Sequence, residues 1–243
     1  SLSVYLAAGG YEAAKKARRK LDMARNSLED SQKKLVALRD SPPQPKVPKV
    51  APRQREWYEK FYWFYSSGGF FVVGGRDATT NDIVMKKHRT ADDLVFHTEE
   101  PGSPFFVVQS QGREVDAVTI QEAAQAAASY SQQWKTGKST AEVFYARGAC
   151  FFKQPQDPAG TFHARGERTT LVVPLTVAIG FSERVVGGPP SAISHLGGTY
   201  LILVPGTVKK GDAAKRIAHV LGAAEEEVLR FIPAGLSSIT TPR

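Results

Sequence analysis

The apolar positions of this chain change period along its length, and the changes mark its organisation. Ala14, Ala17, Leu21, Ala24, Leu28, Ser31, Leu35 and Leu38 recur at alternating spacings of three and four, a heptad seam in which only Ser31 is polar. A lone helix cannot bury such a seam, so the helix predicted over 1–40 must pair with a second copy of itself or with a helix upstream of this stretch. Residues 41–52, SPPQPKVPKVAP, hold five prolines. Proline cannot continue a helix and favours extended polyproline geometry, so 41–55 reads as a semi-rigid linker.

From residue 57 the pattern is that of strands. FYWFY at 61–65 is aromatic throughout, SSGG at 66–69 has the composition of a hairpin loop, and 70–73 form a second apolar strand. Gly74 and Gly75 end that strand, and a helix follows over 78–88 with Asp77 or Thr80 as its cap. Strands are predicted at 94–98 and 105–110. A long alanine-rich helix follows over 119–135, with Thr119 and Glu122 forming a capping box. Further strands are predicted at 143–146, 161–165 and 171–179, the last with Pro174 near a bend or an edge. The end of the chain reads as a short helix at 189–196, a strand at 200–204 and helices at 209–221 and 225–231. Sequential strands with few helices between them predict an α+β fold, a largely antiparallel sheet with one long packed helix. A coiled-coil helix precedes it and a small α/β appendage follows, with boundaries at 1–40, 41–55, 56–181 and 182–243.

Composition adds three constraints. With 243 residues, 42% of them apolar and 23% charged, the chain is large enough for one sizeable domain and an appendage. A single cysteine, Cys150, excludes an internal disulfide and fits a reducing, cytoplasmic setting. No apolar run is long enough to span a membrane, and a start at Ser1 rather than Met reads as a fragment or a processed product. The net charge of +8 is unevenly spread: residues 1–50 carry 11 Lys or Arg against 5 Asp or Glu, whereas residues 91–181 carry 7 against 10. The excess in the first third is the footprint expected of a surface that meets a polyanion.

Candidate chemistry is that of binding rather than catalysis. The five histidines have no paired metal-ligand spacing, Gly74-Gly75 lacks the ending of a phosphate loop, and Cys150 reads as a lone buried cysteine rather than a nucleophile served by a distant histidine. Neither an enzyme nor a cofactor is expected. Asp92, Asp93, Glu99 and Glu100 read as solvated turns. Arg53, Arg55, Lys60, Arg76, Lys86, Lys87 and Arg89 surround Trp57 and Tyr58, a mixture suited to phosphate contact with base stacking if all lie on one open face. Other roles stay open for each. Lys86, Lys87 and Arg89 suit the C-terminal end of a helix dipole, Trp57, Phe61 and Trp63 suit a core, and Arg76 with Asp77 suits an internal ion pair.

These stretches also carry a family resemblance. WYEKF at 57–61, GGRDA at 74–78, Asn81 with Lys86 and Lys87, LVFHT at 94–98, PGSP at 101–104 and TIQEAAQAAASYSQQWKTG at 119–137 occur in order. Lys153, the G-F-ARGE pattern at 160–167 and the archaeal-like VVGGPPSAI at 185–193 continue them. Together they resemble the NFACT-R domain, the C-terminal module of the NFACT proteins. The resemblance implies binding of tRNA or ribosomal RNA within ribosome quality control, on a large ribosomal subunit obstructed by peptidyl-tRNA. It adds Lys153, Arg165 and Arg168 to the candidate RNA contacts, and it implies that the heptad helix pairs with an upstream arm of the same protein. Elongation of stalled chains is not expected of this chain alone. A scaffold that docks a protein partner, or a DNA-binding module, are the alternatives from the residues themselves.

Overall fold

The computed structural model describes residues 15–30, 32–33 and 56–242. The chain divides into two units, Ser1–Val50 and Ala51–Arg243. In the first, residues 15–30 and 32–33 are helical (α1) and exposed. The seam residues Leu21 and Leu28 are among the exposed large hydrophobics. Ala14, Ser31, Leu35, Leu38 and the proline-rich linker lie outside the described residues.

The second unit is built on an aromatic hairpin. A 3-10 turn, Trp57–Lys60, leads into β1 (Tyr62–Tyr65), which pairs antiparallel with β2 (Phe71–Gly74). The Ser66 backbone N–H donates to Phe70 O at 2.9 Å and Gly69 closes the loop with a φ of 77°. Helix α2 (Ala78–Lys87) follows, then β3 (Leu94–Thr98) and β4 (Phe106–Gln109). Asp77 is the cap of α2: its carboxylate accepts from the Thr80 backbone N–H at 2.8 Å while the Thr80 side chain bonds back to the cap.

Helix α3 (Ala117–Ser129) is shorter than predicted and starts earlier. Its cap is Asp116, which accepts from the Thr119 N–H at 2.8 Å, and a separate 3-10 turn, Gln132–Thr136, follows it. Glu122 therefore is not half of a capping box. It is buried under the hairpin, accepting the backbone N–H of Ser67 at 2.9 Å and the Ser67 hydroxyl. Beside it the Thr119 hydroxyl donates to Ser66 Oγ at 2.8 Å. The approach is so close that a Cβ on Gly68 would lie 2.0 Å from an Asp116 carboxylate oxygen. Five alanines of α3, Ala123, Ala124, Ala126, Ala127 and Ala128, are buried, and their small side chains let the helix lie close over the sheet.

The remaining strands are β5 (Thr140–Arg147), β6 (Phe151–Phe152), β7 (His163–Ala164) and β8 (Thr169–Pro174). The order β1-β2-β4-β3-β5-β8 makes one antiparallel sheet, and β6 pairs with β7 apart from it. The stretch 171–179, expected as one strand, is two. The chain leaves the first sheet at Pro174, last residue of an edge strand, and β9 (Val177–Phe181) enters a second sheet. That sheet continues with β10 (Val185–Gly188), helix α4 (Pro190–His195) and β11 (Thr199–Val208). Helices α5 (Lys210–Leu221) and α6 (Glu225–Leu229) and strand β12 (Ser237–Thr240) complete it, in the order β10-β9-β11-β12. The α+β class with antiparallel sheets is as the sequence predicts; β6, β10 and β12 are the strands it did not show.

The two sheets are fastened by hydrogen bonds. Tyr130 Oη donates to Phe231 O at 2.9 Å, Trp134 Nε1 to Leu236 O at 3.0 Å, and the Ser129 hydroxyl accepts from the Thr176 N–H at 3.0 Å. Within the first part of the unit a further contact is ionic. Asp82 of α2 accepts Lys86 Nζ at 2.9 Å, Lys153 Nζ at 2.8 Å and the Gly160 N–H at 2.7 Å, so the loop after β6 is docked on α2. Burial alone would push the Asp82 carboxyl up. The hydrogen bonds from Lys153, Lys86 and Gly160 outweigh it and hold the group well below the usual carboxylate range.

Two measurements check these constraints. Gly68→Ala is expected to destabilise the second unit by about 2 kcal/mol through overpacking against α3, read as a lowered urea midpoint. Asp82→Asn is expected to cost about 2 kcal/mol at neutral pH. Because the folded carboxyl is depressed, its contribution is complete above the unfolded value of about 4 and is lost as pH falls toward the folded one. The melting temperatures of the two proteins should therefore converge in acid; a constant difference down to about pH 2 would show that Asp82 does not hold the loop ionically.

Candidate nucleic-acid interface

The hairpin and α2 bring one group of predicted residues together. Trp57, which opens the 3-10 turn, stacks on His88, the C-cap of α2, with ring centroids 4.1 Å apart and planes 15° apart. Tyr58, Phe61 and Phe71 meet Trp57 edge-on at 5.6, 6.1 and 5.9 Å and fix the indole in place. The ring is nonetheless 44% exposed. Lys60 and Lys87 flank the pair and are exposed, and neither has an ion-pair partner among the described residues. Lys60 Nζ lies 5.1 Å from the Phe61 ring centroid. Burial, then the positive charges of Lys60 and Lys87, push the His88 imidazole below its ordinary value and keep it neutral at physiological pH. The result is a flat, uncharged aromatic ledge with two ammonium groups beside it.

The other predicted residues are placed differently. Tyr58 is half-buried, and its hydroxyl accepts from Arg184 Nη2 at 3.1 Å. Lys86 and Lys153 share the Asp82 carboxylate, which leaves that corner with a single net positive charge. Arg89 donates to Phe151 O at 3.1 Å, and burial lowers its pKa. Arg168 pairs with Glu99 at 3.3 Å and lies 4.8 Å from the Phe144 ring, whereas Arg165 lies 5.5 Å from the Phe152 ring with no carboxylate partner among the described residues. Arg53 and Arg55 lie outside the described residues.

Arg76 makes no ion pair with Asp77, whose carboxylate caps α2. Its guanidinium instead lies 4.6 Å from the Tyr62 ring centroid. Helix α2, ten residues and about 15 Å long at 1.5 Å per residue, has Arg76 just before its start and Lys87 and His88 at its end. The cations of 57–88 are therefore divided between the two ends of α2 rather than gathered on one face. His88 joins the group unforeseen. Its place opposite Trp57 depends on the return of α2 past the start of the hairpin, which no local spacing encodes; a histidine directly after two lysines was the one local sign.

Acidic residues outside this region are internally engaged. Buried Asp93 accepts the N–H groups of Thr90 at 2.7 Å and Ser110 at 2.9 Å, and Glu100 pairs with Lys138 at 2.7 Å. Among the described residues, no group of three or more His, Cys, Asp or Glu is placed to hold a metal ion, and no helix is long and apolar enough to cross a membrane.

Residues 60–166 match the family described as the NFACT protein RNA binding domain. The archaeal Rqc2 homolog aRqcH of Methanocaldococcus jannaschii is 33% identical over 196 residues, spanning 75% of this chain and 29% of that protein. The ribosome quality control complex subunit NEMF homolog of Drosophila melanogaster is 33% identical over 124 residues, 50% of this chain and 12% of that protein. Human ribosome quality control complex subunit NEMF is 29% identical over 175 residues, 70% of this chain and 16% of that protein. This chain thus spans less than a third of the length of each. The match over 60–166, with relatives that align well beyond it on this chain, places the protein in the NFACT family.

Proposed function

We propose that this chain is the RNA-binding module of a ribosome quality control factor, and that its partners are tRNA and the large ribosomal subunit obstructed by peptidyl-tRNA. The observation that carries this reading is the Trp57–His88 ledge with Lys60 and Lys87 beside it. A base stacked on an exposed indole gains about 1–3 kcal/mol whatever its identity, and adjacent ammonium groups meet the phosphates on either side of it. Such a surface binds an unpaired stretch of RNA and performs no covalent chemistry. The family match and the names of the relatives support the ribosomal setting. Exposed Leu21 and Leu28 on α1 favour, in addition, a second helix as partner, supplied by an upstream arm of the same protein or by a second copy.

Fluorescence anisotropy with labelled tRNA in about 150 mM salt tests the ledge. Lys60→Glu with Lys87→Glu should weaken binding at least about tenfold and lower the slope of log affinity against log salt by about 1 to 2. Trp57→Ala should weaken binding by a factor that changes little with salt, since stacking is not screened. Unchanged affinity in the double charge variant, with an unaltered circular dichroism spectrum, would move the RNA surface elsewhere.

A further inference from the structure

Arg76 is in an electrostatic position that the fold does not resolve. Its Nε and Nη2 atoms are both buried and have no hydrogen-bond partner among the described residues. The guanidinium lies 4.6 Å from the Tyr62 ring centroid and 6.0 Å from that of Phe231. Tyr62 in turn stacks on Tyr130 at 3.9 Å, and Tyr130 is fastened to Phe231 O. Arg76 is thus held where β1, the end of α3 and the turn after α6 meet. The charges facing it are mostly of its own sign. Arg230, which donates to Glu59 O, and Lys210, the first residue of α5, both repel it. Among the described residues the acidic neighbour that acts on it is Asp77, whose carboxylate is engaged by the Thr80 N–H and hydroxyl. Burial and Arg76 together lower the pKa of Lys210.

A desolvated, unpaired guanidinium among further cations is costly, and the cost is removed when an anion supplies both charge and acceptors. The two unpartnered nitrogens, Nε and Nη2, form one edge of the planar group, the edge that donates two parallel hydrogen bonds to a phosphate or carboxylate. We propose that Arg76, with Lys210 and Arg230 around it, is a binding site for one phosphate group at the junction of the hairpin and the C-terminal elements. The site lies at the opposite end of α2 from the Trp57 ledge. Its ligand is a phosphoryl oxyanion, either a phosphate of the bound RNA, which rests on the function proposed above, or a free phosphate.

The test is a thermal melt of the full chain in potassium phosphate against potassium chloride of equal ionic strength. Phosphate at about ten times its dissociation constant should raise the melting temperature of the wild type by about 4 °C. Arg76→Met, which fills the space without the charge, should melt no lower than the wild type in chloride and show no phosphate shift. Lys210→Gln should reduce the shift, and Lys60→Glu with Lys87→Glu should retain it, so a failure of RNA binding at the ledge leaves this arm readable. An RNA affinity about tenfold weaker in Arg76→Met identifies an RNA phosphate as the ligand; an unchanged RNA affinity with the phosphate shift present identifies free phosphate. Equal melting of the wild type in both salts, or a full phosphate shift in Arg76→Met, overturns the proposal.

Discussion

The Glu122 carboxylate, buried in α3 and saturated by the backbone N–H and hydroxyl of Ser67, is the constraint on which the second unit depends. A charge at that depth is tolerated only where its acceptors are filled, and the hairpin loop fills them. Thr119 and Ser66 repeat the link one turn earlier, and Gly68 keeps the space that both need. Once the hairpin tip is set against α3, β1 and β2 are in register with the sheet, and Trp57 at the foot of β1 is in place for His88. The position of the Trp57–His88 ledge thus follows from a polar contact at the far end of the same hairpin.

Helix α2 then distributes charge. Its capped N-terminus leaves Arg76 turned inward among rings, its middle carries Asp82 with two lysines and a loop amide, and its C-terminus offers Lys87 and His88 to solvent. Three cationic positions within twelve residues therefore have three different electrostatic states. Lys86 and Lys153 share Asp82, Arg76 is desolvated, and Lys87 is exposed with no ion-pair partner among the described residues. A count of basic residues cannot distinguish these states, because each is set by what burial and partners leave unscreened.

Much of the fold was legible because local chemistry and global packing agree. The aromatic runs with a glycine loop between them gave the hairpin, and Asp77 gave the start of α2. Pro174 marked the edge strand that it ends. Legibility ended where long-range contacts overrode a local pattern. Thr119 and Glu122 have capping-box spacing, yet Asp116 takes the cap because Glu122 is claimed by a hairpin 55 residues away. Of the candidate site, Trp57, Lys60 and Lys87 were legible as an aromatic among cations. The fates of Lys153 and Arg76 were not, since one depends on a carboxylate 71 residues distant and the other on rings from three separate segments.

The passage of the chain from β8 into β9 takes only two residues, Leu175 and Thr176, and has a topological consequence. Neither sheet ends where the family match ends at residue 166, because β8 closes the first sheet beyond it while β9 is already an inner strand of the second. On β10, Gly187 and Gly188 present bare backbone to Phe231 and Phe64, so an aromatic ring of the first sheet packs directly on a strand of the second. A cut anywhere between residues 166 and 188 would part strands that pack against each other, so the stretch matched by the family and the elements after it stand or fall together within one compact unit.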